Sequence, residues 1–342
     1  MRLGRDTRPH SPIHNDARIH SPSVQWSAPT DSVGLGTDRD RMDTKSSPFI
    51  GTEGLAAGGV TRRTLVSRHN MIYRNVYLPK GVKLTPERRA VAAWLWSRRN
   101  ATIAGISAAA LHGSRWIDEN LPAELIRGEA CDVDGITIHR AKLRDEEMGM
   151  VHGMPVTTPV RTAFDLGRGG SLETAIIRVD ALANATGLKP VDVGRLAETR
   201  RGARGIVQLR RVLELMDGGA ESPQETRTRL LMLAAGFPRP QTQILVADEY
   251  GCFIGRVDMG WEELKVGVEY DGPQHWDDPA QHARDIDRLA ELGAQRWLII
   301  RASRDILRSR PHVFLARVRD AMQARGWPHS DEVRLDARIA WL

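Results

Sequence analysis

The chain has 342 residues, 41% of them hydrophobic and 5% aromatic, which is long enough for two domains with ordinary apolar cores. No run approaches 18 apolar residues, and the N-terminus lacks the apolar segment of a signal peptide, so the sequence predicts neither a membrane span nor a secretory leader. The two cysteines, Cys131 and Cys252, have no metal-type spacing, which argues against a zinc site or a disulfide framework and favours the cytoplasm.

The net charge of +6 is unevenly distributed along the chain. Residues 45–220 contain 26 Lys and Arg against 18 Asp and Glu, whereas residues 221–327 contain 15 against 16. A basic surplus is compatible with a nucleic-acid partner. An ordinary arginine-rich composition explains it equally well, so the charge alone does not decide between the two.

Residues 1–44 are rich in Ser, Pro, Asp, Arg and His and contain few large apolar side chains. Such a composition cannot bury a core and is typical of a disordered extension. Met42 lies just before the first structured pattern. We therefore hypothesise that translation starts at Met42 and that the preceding residues do not belong to the native protein.

Residues 45–113 combine short helical patterns with an extended basic segment. Thr61 is predicted to cap a helix that runs through Ser67, and residues 72–78 alternate as a strand that ends at Pro79. In a winged-helix module, four arginines of this region would contact DNA phosphates: Arg62, Arg63, Arg68 and Arg74. A helix and strand that only pack against a core explain the same pattern, and both interpretations stay open.

The middle region, residues 114–220, is predicted to be mixed and then mostly helical. Before it, Pro86 begins a helix capped by Thr85. The other predicted elements are a helix at 106–112, strands at 123–126 and 135–139, a helix start at 157–165, and three helices within 171–217. His112 stands alone on an apolar helix, where a packed or capping histidine is more common than a metal ligand.

Residues 55–113 resemble the winged-helix region of AbiEi-type antitoxin proteins of bacteria. The resemblance lies in Val60-Thr-Arg, in the strand that ends at Val76-Tyr-Leu-Pro79, and in Ala108-Ala-Ala-Leu-His-Gly113, and Thr158-Pro-Val-Arg-Thr-Ala-Phe-Asp165 extends it. It implies DNA binding, often at the protein's own promoter, and raises the question of a toxin partner. The first helix of the module is shortened in this chain.

A predicted hairpin at 256–272 is unusually rich in carboxylates. Side chains alternate along a strand, so Glu269 and Asp271 share one face. If the turn falls at 262–265, Asp258 on the preceding strand lies directly across from Glu269, with roughly 4.5–5.5 Å between Cβ atoms. Two carboxylates that close repel each other unless a cation lies between them, and oxygen ligands suit Mg²⁺ or Mn²⁺.

Residues 221–327 are predicted to fold as helix, strand, strand, strand, helix, strand, helix, with a tail at 328–342. Ser222-Pro-Gln-Glu225 is a capping box that opens the first helix. The apolar run at 297–301 predicts a buried parallel strand joined by a crossover helix. The chain is therefore expected to be a two-domain α/β (α+β) protein, in which a winged-helix-like and mostly helical part precedes a mixed sheet flanked by helices.

The C-terminal arrangement resembles the PD-(D/E)XK nuclease superfamily and, more closely, the DUF559 group and the very-short-patch-repair endonucleases. The residues that carry the resemblance are Glu225, Val257-Asp258, Val268-Glu-Tyr-Asp-Gly272, His275, Arg284-Asp285, Arg288 and the strand ending at Arg301. It implies DNA phosphodiester hydrolysis assisted by Mg²⁺ or Mn²⁺. Asp258 and Glu269 would bind the metal, and Glu225 would complete the shell or orient a water.

The superfamily pattern has a lysine where this chain has Asp271. A carboxylate offers no positive charge, so Asp271 would instead bind a second metal or hold His275. Either His275 or Arg288 would then supply the missing positive charge or the proton transfer.

Several candidate site residues also have a structural explanation. Glu225 acts as a helix cap, Asp271 ends a strand at a turn, and Asp285 pairs with Arg288 or faces solvent. Two tryptophans, Trp261 and Trp276, either stack on bases or close a hydrophobic edge. Neither a turn nor a cap accounts for Asp258 and Glu269.

The sequence therefore favours a metal-dependent DNA endonuclease with an attached DNA-binding region. Its predicted catalytic residues are Glu225, Asp258, Glu269, Asp271, His275 and Arg288. A DNA-binding or antitoxin-like regulator whose nuclease fold has lost catalysis is the alternative, and the lysine replaced at position 271 favours it. A scaffold for protein partners would leave the clustered carboxylates unexplained. DNA is the expected partner, and the sequence leaves a homodimer open.

Overall fold

A computed structural model describes residues 46–129, 133–272, 279–328 and 333–337, with only the backbone described at 279–283. Within these ranges the chain is a mixed α/β protein with three sheets. None of the helices described has the length and apolarity needed to cross a bilayer. The predicted extension 1–44, Cys131, His275, Trp276 and part of the predicted tail lie outside the described residues.

The first sheet is three-stranded and antiparallel. Its order is β1 (Phe49–Ile50), β3 (Val76–Pro79) and β2 (His69–Tyr73), and α1 (Gly51–Ala56) and α2 (Arg62–Arg68) connect β1 to β2. Thr61 caps α2 as predicted, because its hydroxyl accepts the N–H of Thr64. The single strand predicted at 72–78 is wrong. Asn75 has a φ of 63°, which asparagine tolerates, so the chain turns there and forms the β2–β3 hairpin.

The second sheet is five-stranded and mixed. Its order is β6 (Ile136–His139), β5 (Ala123–Ile126), β4 (Thr102–Ile103), β8 (Met154–Thr157) and β7 (Met148–Val151). The predicted helices α3 (Pro86–Trp96) and α4 (Gly105–Leu111) pack against it. One apolar core joins the first sheet to the second and contains Val76, Ala93, Ile103, Leu125 and Val156.

The helical region consists of α5 (Pro159–Gly167), α6 (Leu172–Thr186), α7 (Pro190–Thr199), α8 (Ile206–Leu215) and α9 (Pro223–Ala235). A buried ion pair holds α6 to α9. Asp180 Oδ2 accepts hydrogen bonds from Arg229 Nη2 at 2.8 Å and from Thr226 Oγ1 at 2.9 Å, and Asp180 Oδ1 accepts the N–H of Asp217 at 2.7 Å. The two charged side chains are 1% and 0% exposed, so compensation of each charge depends on protein neighbours and not on water.

The third sheet has the order β12 (Leu298–Ser303), β11 (Val266–Asp271), β10 (Phe253–Trp261) and β9 (Gln241–Ala247). The β9–β10 and β10–β11 pairs are antiparallel, whereas β12 pairs parallel to β11 after the crossover helix α10 (Pro279–Ala294), as predicted. Gly293 lies inside α10 and not beyond it. The chain continues through α11 (Arg304–Ser309), which the sequence analysis missed, to α12 (Pro311–Ala324).

The largest apolar core crosses from the helical region into the third sheet. It contains Phe164 of α5, Leu182 of α6, Leu231 of α9, Val268 of β11 and Phe314 of α12. Helix α9 contributes most directly, because it contacts both α6 and β11. The predicted boundary after residue 220 therefore falls within a continuous core, and the division into domains stays a prediction.

Candidate active site

The acidic hairpin turns where the sequence predicts. Residues Glu262–Leu264 form a 3-10 turn, and Lys265 follows in the left-handed conformation with a φ of 52°. The paired residues of β10 and β11 are Met259 with Val268, Gly260 with Gly267 and Trp261 with Val266. One further step of this register brings Asp258 opposite Glu269, but the regular pairing ends before it. Asp258 Oδ2 instead accepts the N–H of Tyr270 at 2.8 Å.

The third sheet is irregular at Asp258. Val257 belongs to the apolar cluster that includes Leu292 of α10, whereas Met259 belongs to the core shared with α9 and α12. Residues two apart in a regular strand would face the same side. On the neighbouring strand, Gln243 lies between the partners of Val257 and Met259 and has a φ of 54°, which is rare for a strand residue. Asp258 therefore lies where the regular strand pairing is interrupted, and no pattern in the sequence predicts this interruption.

All of the predicted site carboxylates except Glu225 line one open cleft of about 230 Å³. Its acidic residues are Asp258, Glu269, Asp271 and Asp285, and its basic residues are Arg256, Arg288 and Arg301. Both signs of charge are thus close together at the surface of the third sheet. The sequence had identified all four acidic residues and Arg288, whereas Arg256 was not singled out and Arg301 was noted only as the end of a strand.

Arg288 holds Glu269 through two parallel hydrogen bonds. Nη1 donates to Oε1 at 2.7 Å and Nη2 donates to Oε2 at 2.9 Å. The side chain of Glu269 is 9% exposed and that of Arg288 is 26% exposed, so the pair is largely desolvated. The hydrogen bond to Glu269 raises the pKa of Arg288. The predicted pairing of Arg288 with Asp285 is much weaker, since 3.9 Å separates Nε from Oδ1.

Asp271 is the last residue of β11, and Arg301 of β12 lies beside it. The parallel register sets Arg301 next to Glu269, two residues before Ser303, which is the neighbour of Asp271. Arg301 Nη2 lies 3.0 Å from Asp271 Oδ1, but the two groups are not aligned as a hydrogen bond. Asp271 Oδ1 is therefore a buried acceptor without a hydrogen-bond donor among the described residues. A buried acceptor of this kind favours an additional ligand.

Burial raises the pKa of the Asp258 carboxyl to about 7. The N–H of Tyr270 and the charge of Arg288 act in the opposite direction, while the negative charges of Glu225 and Glu269 raise the pKa further. The arginines therefore leave part of the negative charge around Asp258 uncompensated.

The capping box predicted at Ser222 and Glu225 forms only in part, because Ser222 Oγ accepts the N–H of Glu225 but the Glu225 carboxylate accepts the N–H of Glu221 and not that of Ser222. Glu225 Oε2 accepts the N–H of Glu221 at 2.9 Å and Nε2 of Gln243 at 3.2 Å, and its Oε1 accepts Ser222 Oγ at 2.8 Å. It does not line the cleft, although its charge acts on Asp258. Burial raises the pKa of Glu225. Its role in a metal shell stays a prediction.

Two residues with alternative explanations prove to be packed. Trp261 is 8% exposed and donates its Nε1–H to the carbonyl of Pro238 at 3.2 Å, so it closes a hydrophobic edge. His112 Nε2 lies 2.7 Å from the carbonyl oxygen of Thr157, and burial lowers the pKa of His112. The other uncertain residues, His275 and Trp276, lie outside the described ranges.

The arginines predicted to contact DNA are all exposed and lie apart from the cleft lining. Arg62, Arg63 and Arg68 belong to α2, and Arg74 lies in the turn of the adjacent hairpin. Val66 of the same helix is 76% exposed, while Leu65 is buried. Helix α2 thus presents a mainly basic surface to solvent and is held by a single buried apolar side chain.

Comparison with known proteins does not assign an activity. No protein-family model and no solved structure matches the chain. Uncharacterized protein MT2308 of Mycobacterium tuberculosis (strain CDC 1551 / Oshkosh) and Uncharacterized protein Rv2248 of Mycobacterium tuberculosis (strain ATCC 25618 / H37Rv) are each 31% identical to it over 168 residues. The match covers 49% of this chain and 62% of each relative, so the chain spans less than two thirds of their length.

Proposed function

We propose that the protein is a metal-dependent nuclease that hydrolyses DNA phosphodiester bonds in the cleft of the third sheet. The observation that carries this proposal is the convergence of Asp258, Glu269 and Asp271 with Arg288 and Arg301 around one open cleft. Phosphodiester hydrolysis needs oxygen ligands for a divalent cation and positive charge for the phosphate. The cleft contains both.

The chemistry of the cleft suits Mg²⁺ or Mn²⁺. Its candidate ligands among the described residues are carboxylate oxygens, and none of those residues donates a hydrogen bond to the buried Asp271 Oδ1. The side chains do not form a complete coordination shell in this conformation, because no group of three or more His, Cys, Asp or Glu side chains among the described residues is placed to hold a metal. Both oxygens of Glu269 accept hydrogen bonds from Arg288, so a cation that binds Glu269 competes with this guanidinium.

A cation held by Asp258 and Glu269 would supply Lewis-acid charge and a hydroxide from bound water. The chain itself would then position the DNA. Arg288 and Arg301 border the cleft, and guanidinium groups bind phosphate oxygens through paired hydrogen bonds. Arg301 also brings positive charge beside Asp271, where the superfamily pattern expects a lysine.

The exposed surface of α2 supports a separate DNA-binding role. Its arginines are solvent-exposed, and the neighbouring hairpin adds Arg74. Contacts of this kind bind the phosphate backbone without reading sequence. The alternative of a DNA-binding regulator without cleavage uses the same surface and is favoured by Asp271 in place of lysine.

A cleavage assay on varied DNA with Mg²⁺ or Mn²⁺ separates the two functions. We expect the wild type to cleave, and Asp258→Asn and Glu269→Gln each to abolish cleavage while DNA binding through α2 persists. The matched control is Glu263→Gln, which neutralises an exposed carboxylate in the turn of the same hairpin. Cleavage that is unchanged in both cleft variants would falsify the site assignment. Binding without cleavage in either metal would support the regulator.

A further inference from the structure

We propose that Arg288 couples cation binding to DNA binding by exchanging partners. It pairs with Glu269 in the cation-free protein and with a DNA phosphate once Glu269 binds a cation. This inference rests on the proposed function, since it concerns the two ligands of the same cleft. It assigns to Arg288 a role that neither a fixed ion pair nor a fixed phosphate contact would have.

Arg288 and a cation compete for the same oxygens. The guanidinium takes both Oε1 and Oε2 of Glu269, at 2.7 and 2.9 Å. A divalent cation at Glu269 needs at least one of these oxygens and repels the guanidinium through its own charge. The two ligands therefore weaken each other at Glu269, and the ion pair lowers the affinity of the empty cleft for cations.

The environment of Arg288 allows its head group to move while its stem stays in place. The stem runs over Gly255, where a Cβ would lie 3.0 Å from Cδ of Arg288. The remaining hydrogen bond, from Nη1 to the carbonyl of Arg256, is long at 3.4 Å. Glycine at position 255 thus gives the stem room close to β10. Among the described residues Glu269 makes the shortest contacts with the guanidinium, while Asp285 Oδ1 lies 3.9 Å from Nε.

A guanidinium released from Glu269 stays within the cleft, where Arg301 provides a second positively charged side chain. Arg288 and Arg301 both line the cleft, and among the described residues Arg301 has one ionic contact, the poorly aligned one with Asp271. Two arginines beside bound metal form a site suited to a phosphodiester. DNA would hold Arg288 away from Glu269, which leaves that carboxylate to the cation. By thermodynamic reciprocity, each ligand must then strengthen the binding of the other by the same factor.

The test measures binding and not turnover. Isothermal titration with Mn²⁺ gives the cation affinity of the DNA-free protein, and fluorescence anisotropy with a labelled phosphorothioate duplex gives the DNA affinity with and without Mn²⁺. In the wild type we expect Mn²⁺ to strengthen duplex binding at least about fivefold, the low end of typical coupling. In Arg288→Gln we expect Mn²⁺ to bind at least about fivefold more tightly than in the wild type, with the effect of Mn²⁺ on the duplex lost.

The matched control is Arg256→Gln. It removes the same charge from the same cleft, but Arg256 pairs with Glu221, with 2.8 Å between Nη2 and Oε2, and not with Glu269. This variant should keep the coupling. Arg288→Lys keeps the charge without the two parallel bonds and should bind Mn²⁺ with intermediate affinity. Melting curves of the Lys and Gln variants, compared with that of the wild type, show whether each variant is folded.

The outcomes separate the inference from the proposed function. If Arg288→Gln binds Mn²⁺ no more tightly than Arg256→Gln, the exchange of partners is overturned. The proposed function would still hold if DNA cleavage is observed and depends on Asp258 and Glu269. If the wild type binds no Mn²⁺ and cleaves no DNA, the proposed function fails and the exchange fails with it.

Discussion

Arg301 of β12 brings its Nη2 to 3.0 Å from Oδ1 of Asp271 at the end of β11. In the predicted resemblance to PD-(D/E)XK nucleases, position 271 corresponds to a lysine, so this chain would have a carboxylate in place of a positive charge. Because β12 pairs parallel to β11, Arg301 places a positive charge beside position 271 from the neighbouring strand. The departure at Asp271 is therefore compatible with retained chemistry, provided that Arg301 acts on the phosphate.

Arg301 should accordingly matter for cleavage. Removing one positioned donor to a developing negative charge typically lowers kcat about 10²–10³-fold, and we expect Arg301→Gln to have an effect near the low end of that range. Arg301→Lys should retain more of the activity, since the charge survives. Initial cleavage rates with Mg²⁺ at saturating DNA provide the measurement. Arg195→Gln, an exposed arginine on α7, is the control, and equal rates for Arg301→Gln and this control would contradict the role.

The basic surface of α2 should contribute to DNA affinity through charge. Replacing Arg62 and Arg63 together by Gln should weaken binding to unrelated duplexes to a similar extent. Each lost phosphate contact lowers the slope of log affinity against log salt by about 0.9, so the double variant should lose nearly 2. Anisotropy titrations over a series of salt concentrations measure both quantities. A slope equal to that of Arg195→Gln would show that α2 only packs.

The buried pair between α6 and α9 should dominate the stability of the helical region. Asp180→Ala leaves Arg229 buried without its carboxylate partner, and removal of one member of such a pair costs about 3–5 kcal/mol. Urea denaturation followed by circular dichroism measures the loss in free energy of unfolding. Asp192→Ala is the matched control, because Asp192 pairs with Arg195 on an exposed helix face and such pairs contribute less than about 1 kcal/mol. Similar losses in the two variants would contradict the assignment.

The second sheet contains a contact that should make stability depend on pH. His139 Nε2 lies 2.7 Å from Glu124 Oε2, and this hydrogen bond raises the pKa of His139. Burial and the charge of Arg168 oppose the rise, while the charges of Glu124 and Asp165 add to it. A histidine with a raised folded pKa stabilises the fold fully below its unfolded pKa of about 6.5, and this stabilisation disappears as pH rises through the folded value.

Denaturation curves recorded below the unfolded pKa and above the folded pKa of His139 test the prediction. We expect the wild type to lose stability relative to His139→Gln as the pH rises from about 5.5 through the folded pKa of His139. His312→Gln, which replaces an exposed histidine on α12, should follow the wild type. A His139→Gln protein with the same pH dependence as the wild type would exclude this contact as the cause.

Local signals in the sequence were sufficient for most helices and for the acidic hairpin. Thr61, Thr85, Thr158 and Ser222 each cap the helix that follows, because a hydroxyl before an apolar periodic stretch needs only local chemistry to act. The turn at 262–265 was likewise predictable, since charged residues separate two alternating strands. Strand β4, by contrast, has only two residues and gives no periodic signal.

The features that shape the cleft depend on tertiary contacts and were not predictable from the sequence. The break of the sheet at Asp258 appears only when Val257 and Met259 are found in different cores. The pairing of Arg288 with Glu269 depends on how α10 lies against β10. A weak signal for Arg301 did exist, because a charged residue inside the apolar run 297–301 has to face a partner or solvent. The parallel register that places it beside Glu269 required the structure.

The contacts of α9 limit which fragments of this protein can be transferred or expressed alone. A fragment that starts at residue 221 keeps all the described cleft residues but loses α6 and α8. Arg229 would then lose the carboxylate of Asp180, and the face of α9 that packs on the helical region would be open to water. Helices α5–α8 therefore support the cleft through the core that they share with α9 and the third sheet. An exchange of this cleft between related chains would have to include these helices, with junctions before Pro159.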